Sequence, residues 1–184
     1  MAFQPVGAEF VGMIRQERNV AALRDEVAKL FEEARDDVYR YLLTLGLTPP
    51  RAQEAAQEVF LRLYATLRKG EKLENPRAWV FRVAHNLGLK IRARQNSETL
   101  FDPQWGGQIA GQDGNPEREL LERERMSRFH SAVEGLSEQQ RRCLFLRMGG
   151  LRYPEIGSVL GISASTVGEF LRRAMERLKR VRYE

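Results

Sequence analysis

Residues able to do chemistry are scarce in this chain of 184 residues. Its one cysteine, Cys143, cannot close an internal disulfide, so no disulfide framework holds the fold. Its 2 histidines, His85 and His130, lie far from each other and from a second thiol. That leaves little for a zinc site or a histidine-based triad. The sequence has no phosphate-binding glycine loop, no metal-ligand cluster and no nucleophile elbow. These absences argue against an enzyme and against a bound cofactor or metal. No apolar run approaches the roughly 18 residues of a membrane span. The opening MAFQPVGAEFVGMIRQERN lacks the basic start and apolar stretch of a secretory signal. The expectation is a soluble protein of a reducing compartment, the cytoplasm, without membrane insertion.

What the chain has is charge and apolar periodicity. Hydrophobic residues make up 42%, enough for a core, and the length suits one domain or two small ones. Lys and Arg number 30 against 25 Asp and Glu, a net charge of +5. That charge is unevenly spread. Residues 1–94 hold 16 basic and 12 acidic side chains, residues 95–126 hold 3 and 7, and residues 127–184 hold 11 and 6. Two basic segments therefore flank an acidic joint. The joint contains SETLFDPQWGGQIAGQDGNPE, which has no helical period and the composition of a linker. The pattern fits two solvated domains on a tether, or two nucleic-acid-facing modules joined by an acidic strap.

Both flanks read as helical and no segment reads as strand. Val27, Leu30, Phe31, Ala34, Val38, Tyr41, Leu42 and Leu45 recur at three and four and trace one helix face. Ala52, Ala55, Ala56, Val59, Phe60, Leu63 and Leu67 trace a second, opened by Pro49-Pro50. Asn75 is a suitable N-cap, and Pro76 a suitable first residue, for a third. Ser137 with Gln140 fits a capping box. Pro154 starts a short helix that Gly161 ends, and Ser163 caps the last one. Phe10, Val11 and Ile14 fit either a short amphipathic helix or a loose end.

The segment YPEIGSVLGISASTVGEFLRRAMERLKR carries most information. A short helix, a glycine turn and a longer helix, with Ile156, Val159, Leu160 and Ile162 as the seam, make a helix-turn-helix pattern. On the second helix Val167, Leu171, Ala174 and Leu178 share an apolar arc. Ser165, Glu169, Arg172, Arg173, Glu176, Lys179 and Arg180 share the opposite one. An arginine-rich face suits phosphate and guanine contacts, although any solvated amphipathic helix carries charge there.

The stretch NPRAWVFRVAHNLGLKIRARQ comes next in interest. Trp79, Val80, Val83, Ala84, Leu87 and Ile91 share a face, and Arg82, His85, Asn86 and Arg92 share the other. No acidic residue falls between Arg82 and Arg94. Such a face can track a nucleic-acid strand. Aromatics such as Trp79, Phe81 or Tyr64 can stack on bases, but on this pattern Trp79 and Phe81 read better as core. Cys143, in an apolar run, also reads as core. Glu32-Glu33 and Asp36-Asp37 read as a solvated face.

Taken together, residues 20–94 and 127–182 resemble bacterial RNA polymerase sigma factors of the extracytoplasmic-function type. The resemblance implies an all-α fold of two small helical domains joined by a flexible acidic linker. Residues 1–19 would be an N-terminal extension, 20–94 a sigma-2-like domain, 95–126 the linker and 127–184 a sigma-4-like helix-turn-helix domain. AQEAAQEVFLRLYATL is similar to the family's core-binding helix, which places Gln57, Glu58, Leu61 and Arg62 against the largest polymerase subunit. NPRAWVFRVAHNLGLKIRAR is similar to the promoter-melting and −10 helix, which places Asn75, Arg77, Arg82, Asn86 and Lys90 near single-stranded DNA. Lys72 lies in the preceding loop, which resembles one that captures a flipped base. Ser165, Thr166, Glu169, Arg172 and Arg173 match the face that reads the −35 duplex. Core RNA polymerase, promoter DNA and an anti-sigma protein are the implied partners. The sequence departs from the family pattern at Gln53-Glu54, where Asp is frequent. It departs again at Gly168 and Phe170, where Lys and Arg are frequent, and at Gly157, where Ala is frequent. The alternative reading is a helix-turn-helix regulator with a helical N-terminal regulatory domain. The block from Ala52 to Arg94 argues against it, because such a domain has no need for a −10-type basic helix.

Overall fold

The computed structural model describes residues 6–95 and 131–183, with side chains from 20 to 94 and from 131 to 180. The acidic segment 95–126 lies outside the described residues except for Gln95. The described residues are helical and include no strand. Helix α1 spans Val6–Thr44, α2 Pro49–Arg68 and α3 Pro76–Gln95. After a helical turn at residues 131–134 come α4 (Glu138–Met148), α5 (Tyr153–Leu160) and α6 (Ala164–Tyr183). The ambiguity at the start resolves as helix, because Phe10, Val11 and Ile14 lie in α1, which continues unbroken from Val6.

The punctuation is local and acts as the sequence suggests. Prolines open α2 at its first two positions. The Asn75 side-chain oxygen accepts the Ala78 N–H at 3.0 Å and caps α3. Ser137 and Gln140 exchange the two bonds of a capping box at the start of α4. Gly161 takes φ 69°, the left-handed conformation that glycine adopts without steric cost, and ends α5. The Ser163 hydroxyl accepts the Thr166 N–H at 3.1 Å and caps α6.

Helices α1, α2 and α3 pack on one another, as do α4, α5 and α6. The two groups are not separate. Helix α1 also packs on α4, and α3 on α5. One apolar core therefore runs from Ala34, Val38 and Leu42 through Val80 and Phe81 to Cys143, Leu146, Ile156 and Val167. Trp79 lies at its edge, partly buried, and Phe81 is fully buried. Both aromatics belong to the core.

Inside the helix-turn-helix the angle between α5 and α6 depends on a residue without a side chain. A Cβ on Gly157 would stand 2.5 Å from the carbonyl oxygen of Ile162, which is backbone and cannot swing aside. The Gly157 carbonyl in turn accepts the Ile162 N–H at 3.0 Å. Gly157→Val is expected to lower unfolding free energy by about 1–3 kcal/mol through overpacking, measured by urea denaturation followed by circular dichroism.

Candidate nucleic-acid interface

Three surfaces carry the residues singled out by sequence. On α2, Gln57, Leu61 and Arg62 are exposed and Glu58 is half-buried. Leu61 keeps 64% of its surface in water. Glu58 and Arg62 pair one turn apart at 2.7 Å, which holds both heads beside Leu61. The surface is thus an apolar knob between a fixed acid–base pair and an amide.

Helix α3 presents the second surface. Lys72, in the loop before it, is exposed, as are Asn75, Arg82, Asn86 and Lys90 along it. Arg77 is half-buried and meets Asp37 of α1 at 3.1 Å. His85 departs from the exposed basic arc expected of it. It is 7% exposed, and its Nδ1 shares a hydrogen bond with the Tyr41 hydroxyl at 2.8 Å. Burial, with the Arg142 guanidinium nearby, holds its pKa below the ordinary histidine value. Burial likewise raises the Tyr41 phenol. The pair is a neutral, buried polar link between α1 and α3 and does not face nucleic acid.

Four contacts leave α3 for the second group of helices. The Asn75 amide donates to Glu155 at 2.7 Å and Arg77 Nε donates to the Gly149 carbonyl at 2.5 Å. Arg82 donates to the Ser158 hydroxyl at 2.6 Å and Arg92 to Glu138 at 3.1 Å. Sequence reasoning missed the contacts of Glu155, Ser158 and Glu138 with α3, and Asp37, read as part of a solvated face, is half-buried against Arg77. No local pattern marks these contacts, since each joins residues at least 40 positions apart.

The third surface is α6. Ser165, Arg172 and Arg173 are exposed, and Thr166 and Glu169 are half-buried. Both the Ser165 and Thr166 hydroxyls lie 2.8 Å from the Ser163 hydroxyl, so a small hydroxyl cluster caps the helix. Glu169 accepts from Arg172 at 2.9 and 3.1 Å and from Arg173 at 2.8 Å. Arg172 also reaches Glu176 at 2.6 Å. The bonds from Arg172, then from Arg173, lower the Glu169 carboxyl to about 2. Glu169 therefore stays ionised and accepts from two guanidiniums on one face.

Phe170 finds a structural account here, and Gly168 does not. A Cβ at Gly168 would stand 3.5 Å from Cε2 of the Tyr153 ring, an ordinary contact, so nothing in the structure explains the glycine. The Arg147 guanidinium lies 5.8 Å from the centre of that ring. Phe170 is partly buried against the core and is not a free apolar patch on the reading face. Cys143 is fully buried, and burial pushes its thiol up to about 11, which makes it unreactive.

The chain thus sets a helix-turn-helix after a helical unit that bears a basic helix. The family model for sigma-70 region 2 matches residues 30–98, and that for sigma-70 region 4 matches residues 126–178. The RNA polymerase sigma-H factor of Pseudomonas aeruginosa is 30% identical over 134 residues, covering 68% of this chain and 69% of that protein. The chain belongs to the sigma-70 family, among the extracytoplasmic-function sigma factors. Such factors act in transcription initiation and as a family are not generally enzymes. The extracytoplasmic-function sigma factor SigE of Mycolicibacterium smegmatis is 26% identical over 155 residues, covering 82% of this chain. This chain spans 59% of the length of SigE. Among solved structures, RpoE of Bartonella quintana in complex with the anti-sigma factor NepR shares the fold, with a TM-score of 0.64 at 20% identity. That match covers 86% of this chain and 96% of RpoE. No described helix is long and apolar enough to cross a membrane.

The buried histidine generates a pH dependence of stability. A histidine whose folded pKa is depressed binds its proton more readily in the unfolded chain. Its contribution to stability is complete above the ordinary histidine value and is lost as pH falls below it. The urea midpoint is expected to fall between pH 7 and pH 5. In His85→Asn that part of the pH slope should disappear, whatever the variant's stability at pH 7.

Proposed function

We propose that this sigma factor binds core RNA polymerase through α2, holds the single-stranded −10 element with α3 and reads the −35 duplex with α6. The observation that carries this reading is the ordered pair of family regions on one chain, each with its basic face. Gln57, Glu58, Leu61 and Arg62 form the core-polymerase contact. Lys72, Asn75, Arg77, Arg82, Asn86 and Lys90 contact the −10 strand, and Ser165, Thr166, Glu169, Arg172 and Arg173 contact the −35 duplex. The functional units run from 20 to 94 and from 127 to 184, with 1–19 as an extension and 95–126 as the acidic connection. The protein works in the cytoplasm, beside polymerase, and catalyses nothing itself.

The physics of the reading is cooperative. Two modest DNA contacts tethered to one polymerase add through effective concentration. Bases held in single-stranded form cannot re-pair, so capture drives opening. Arg172 and Arg173, bonded to Glu169 in the free chain, exchange that carboxylate for guanine or phosphate on the promoter. By likeness to RpoE, solved in complex with NepR, an anti-sigma protein is the proposed regulator.

The deciding experiment is in vitro transcription with purified core polymerase on a pool of promoter fragments that includes the region upstream of its own gene. Defined transcripts that require the chain are expected, and they would yield both promoter elements. Absence of transcripts together with failure to co-elute with core polymerase would favour a plain helix-turn-helix regulator. Arg172→Ala and Arg173→Ala are each expected to lower affinity for the duplex −35 element roughly tenfold or more at fixed salt. Arg82→Ala with Asn86→Ala should lower open-complex formation and leave core-polymerase affinity unchanged. Equal loss of both would assign that pair to folding.

A further inference from the structure

Two donors on one side of a guanidinium, Nε and a terminal nitrogen, form the fork that takes a phosphate or a guanine edge bidentately. On Arg172 that fork is taken by Glu169. Nε donates to one carboxylate oxygen at 3.1 Å and Nη2 to the other at 2.9 Å. Nη1 of the same residue donates to Glu176 at 2.6 Å. Arg173 gives its Nε to Glu169 at 2.8 Å. One carboxylate therefore stands where DNA would have to meet both arginines.

Packing does not force this arrangement. The side chains of Glu169, Arg172 and Arg173 keep 41%, 56% and 57% of their surface in water. Exposed ion pairs are individually weak, worth about twofold to fivefold each, so the arginines can leave Glu169 for a better partner. Whether they gain by leaving depends on what Glu169 then meets. Between Thr166 and Arg172 it is the only polar side chain. It lies in the second turn of α6, and the N-terminal residues of a recognition helix face base edges. Beside a phosphate the released carboxylate is one anion set against another. Over a base amino group it gains a donor, as glutamate does from cytosine N4.

We propose that Glu169 is the specificity-determining residue of α6. It withholds the forks of Arg172 and Arg173 from duplex that offers phosphate alone. It releases them where a base amino group, on cytosine or adenine, takes up its carboxylate. Specificity is a difference of affinities, and a penalty on wrong partners contributes to it as a contact with the right one does. This rests on the assignment of α6 to the −35 duplex.

The full-length chain, Glu169→Ala and Glu33→Ala would be titrated by fluorescence anisotropy at one low salt concentration. Two labelled duplexes would be used: the −35 element of a promoter found by the transcription experiment, and the same bases in shuffled order. Glu169→Ala is expected to bind the shuffled duplex about fivefold tighter and the −35 duplex no tighter, so the ratio of the two affinities falls about fivefold. Glu33, exposed on α1, controls for net charge, and its replacement should move neither affinity. In a chain that already carries Arg172→Ala and Arg173→Ala, Glu169→Ala should bring no gain on the shuffled duplex. Unchanged or weaker binding of the shuffled duplex by Glu169→Ala would overturn the proposal. So would an equal gain on both duplexes, or a gain that survives removal of both arginines. The arginine variants separate the two failures. If they weaken −35 binding while Glu169→Ala moves nothing, the −35 assignment stands and only the role of Glu169 is discarded. If they leave −35 binding untouched, the assignment falls and this inference with it.

Discussion

Phe81 is the side chain on which both halves of the protein meet. It packs edge-on to Tyr41 of α1, with ring centres 6.0 Å apart and planes at 71°, and its other side receives the backbone at Gly149. A large aromatic contributes much of its stabilisation through area removed from water, with a smaller directional part from the edge-to-face geometry. Here that area is removed from water by two units at once. Tyr41 is placed by Phe81 and His85, and the turn after α4 is placed by Phe81 and Arg77. The polar contacts around the ring sit at the rim, where each is partly screened by water and individually weak.

The elements themselves were legible in the sequence because their causes are local. Asn75 before Pro76, Ser137 with Gln140, Gly161 and Ser163 each act within four residues of the backbone groups they satisfy. The apolar arcs of α1, α2 and α6 follow from the helical period alone, and their members are the core. Helix α3 was legible only in part. Its apolar arc and Phe81 pack as expected, but His85, placed on the basic stripe, is buried as well. A helical wheel separates apolar from polar residues; it does not distinguish a polar arc facing water from one facing another unit of the chain.

The same limit applies to the candidate site. Residue types and the family resemblance picked out Arg82, Arg172 and Arg173, and geometry supplies what each holds in the meantime. Arg82 holds Ser158, 76 positions away. Arg172 and Arg173 hold Glu169, one turn away. The second arrangement could have been read from the spacing of charges at three and four. The first could not, since nothing in the sequence near either residue marks the other.

The Glu169 clamp has a consequence for how α6 meets DNA. Arg172 and Arg173 bring two positive charges to the reading face, and Glu169 and Glu176 bring two negative ones to the same two turns. Across these two turns the charges balance, and the excess positive charge of the arc comes from Lys179 and Arg180 further along. Binding that rests on displaced counterions weakens steeply with salt in proportion to the phosphates neutralised. A face that cancels its own charge releases few ions and gains little from long-range attraction. The donors of Arg172 and the Nε of Arg173 are taken up by Glu169 and Glu176, so contact with a base edge requires an exchange of partners. On the −35 assignment proposed above, long-range attraction falls to Lys179, Arg180 and the rest of the chain, and discrimination falls to that exchange of partners.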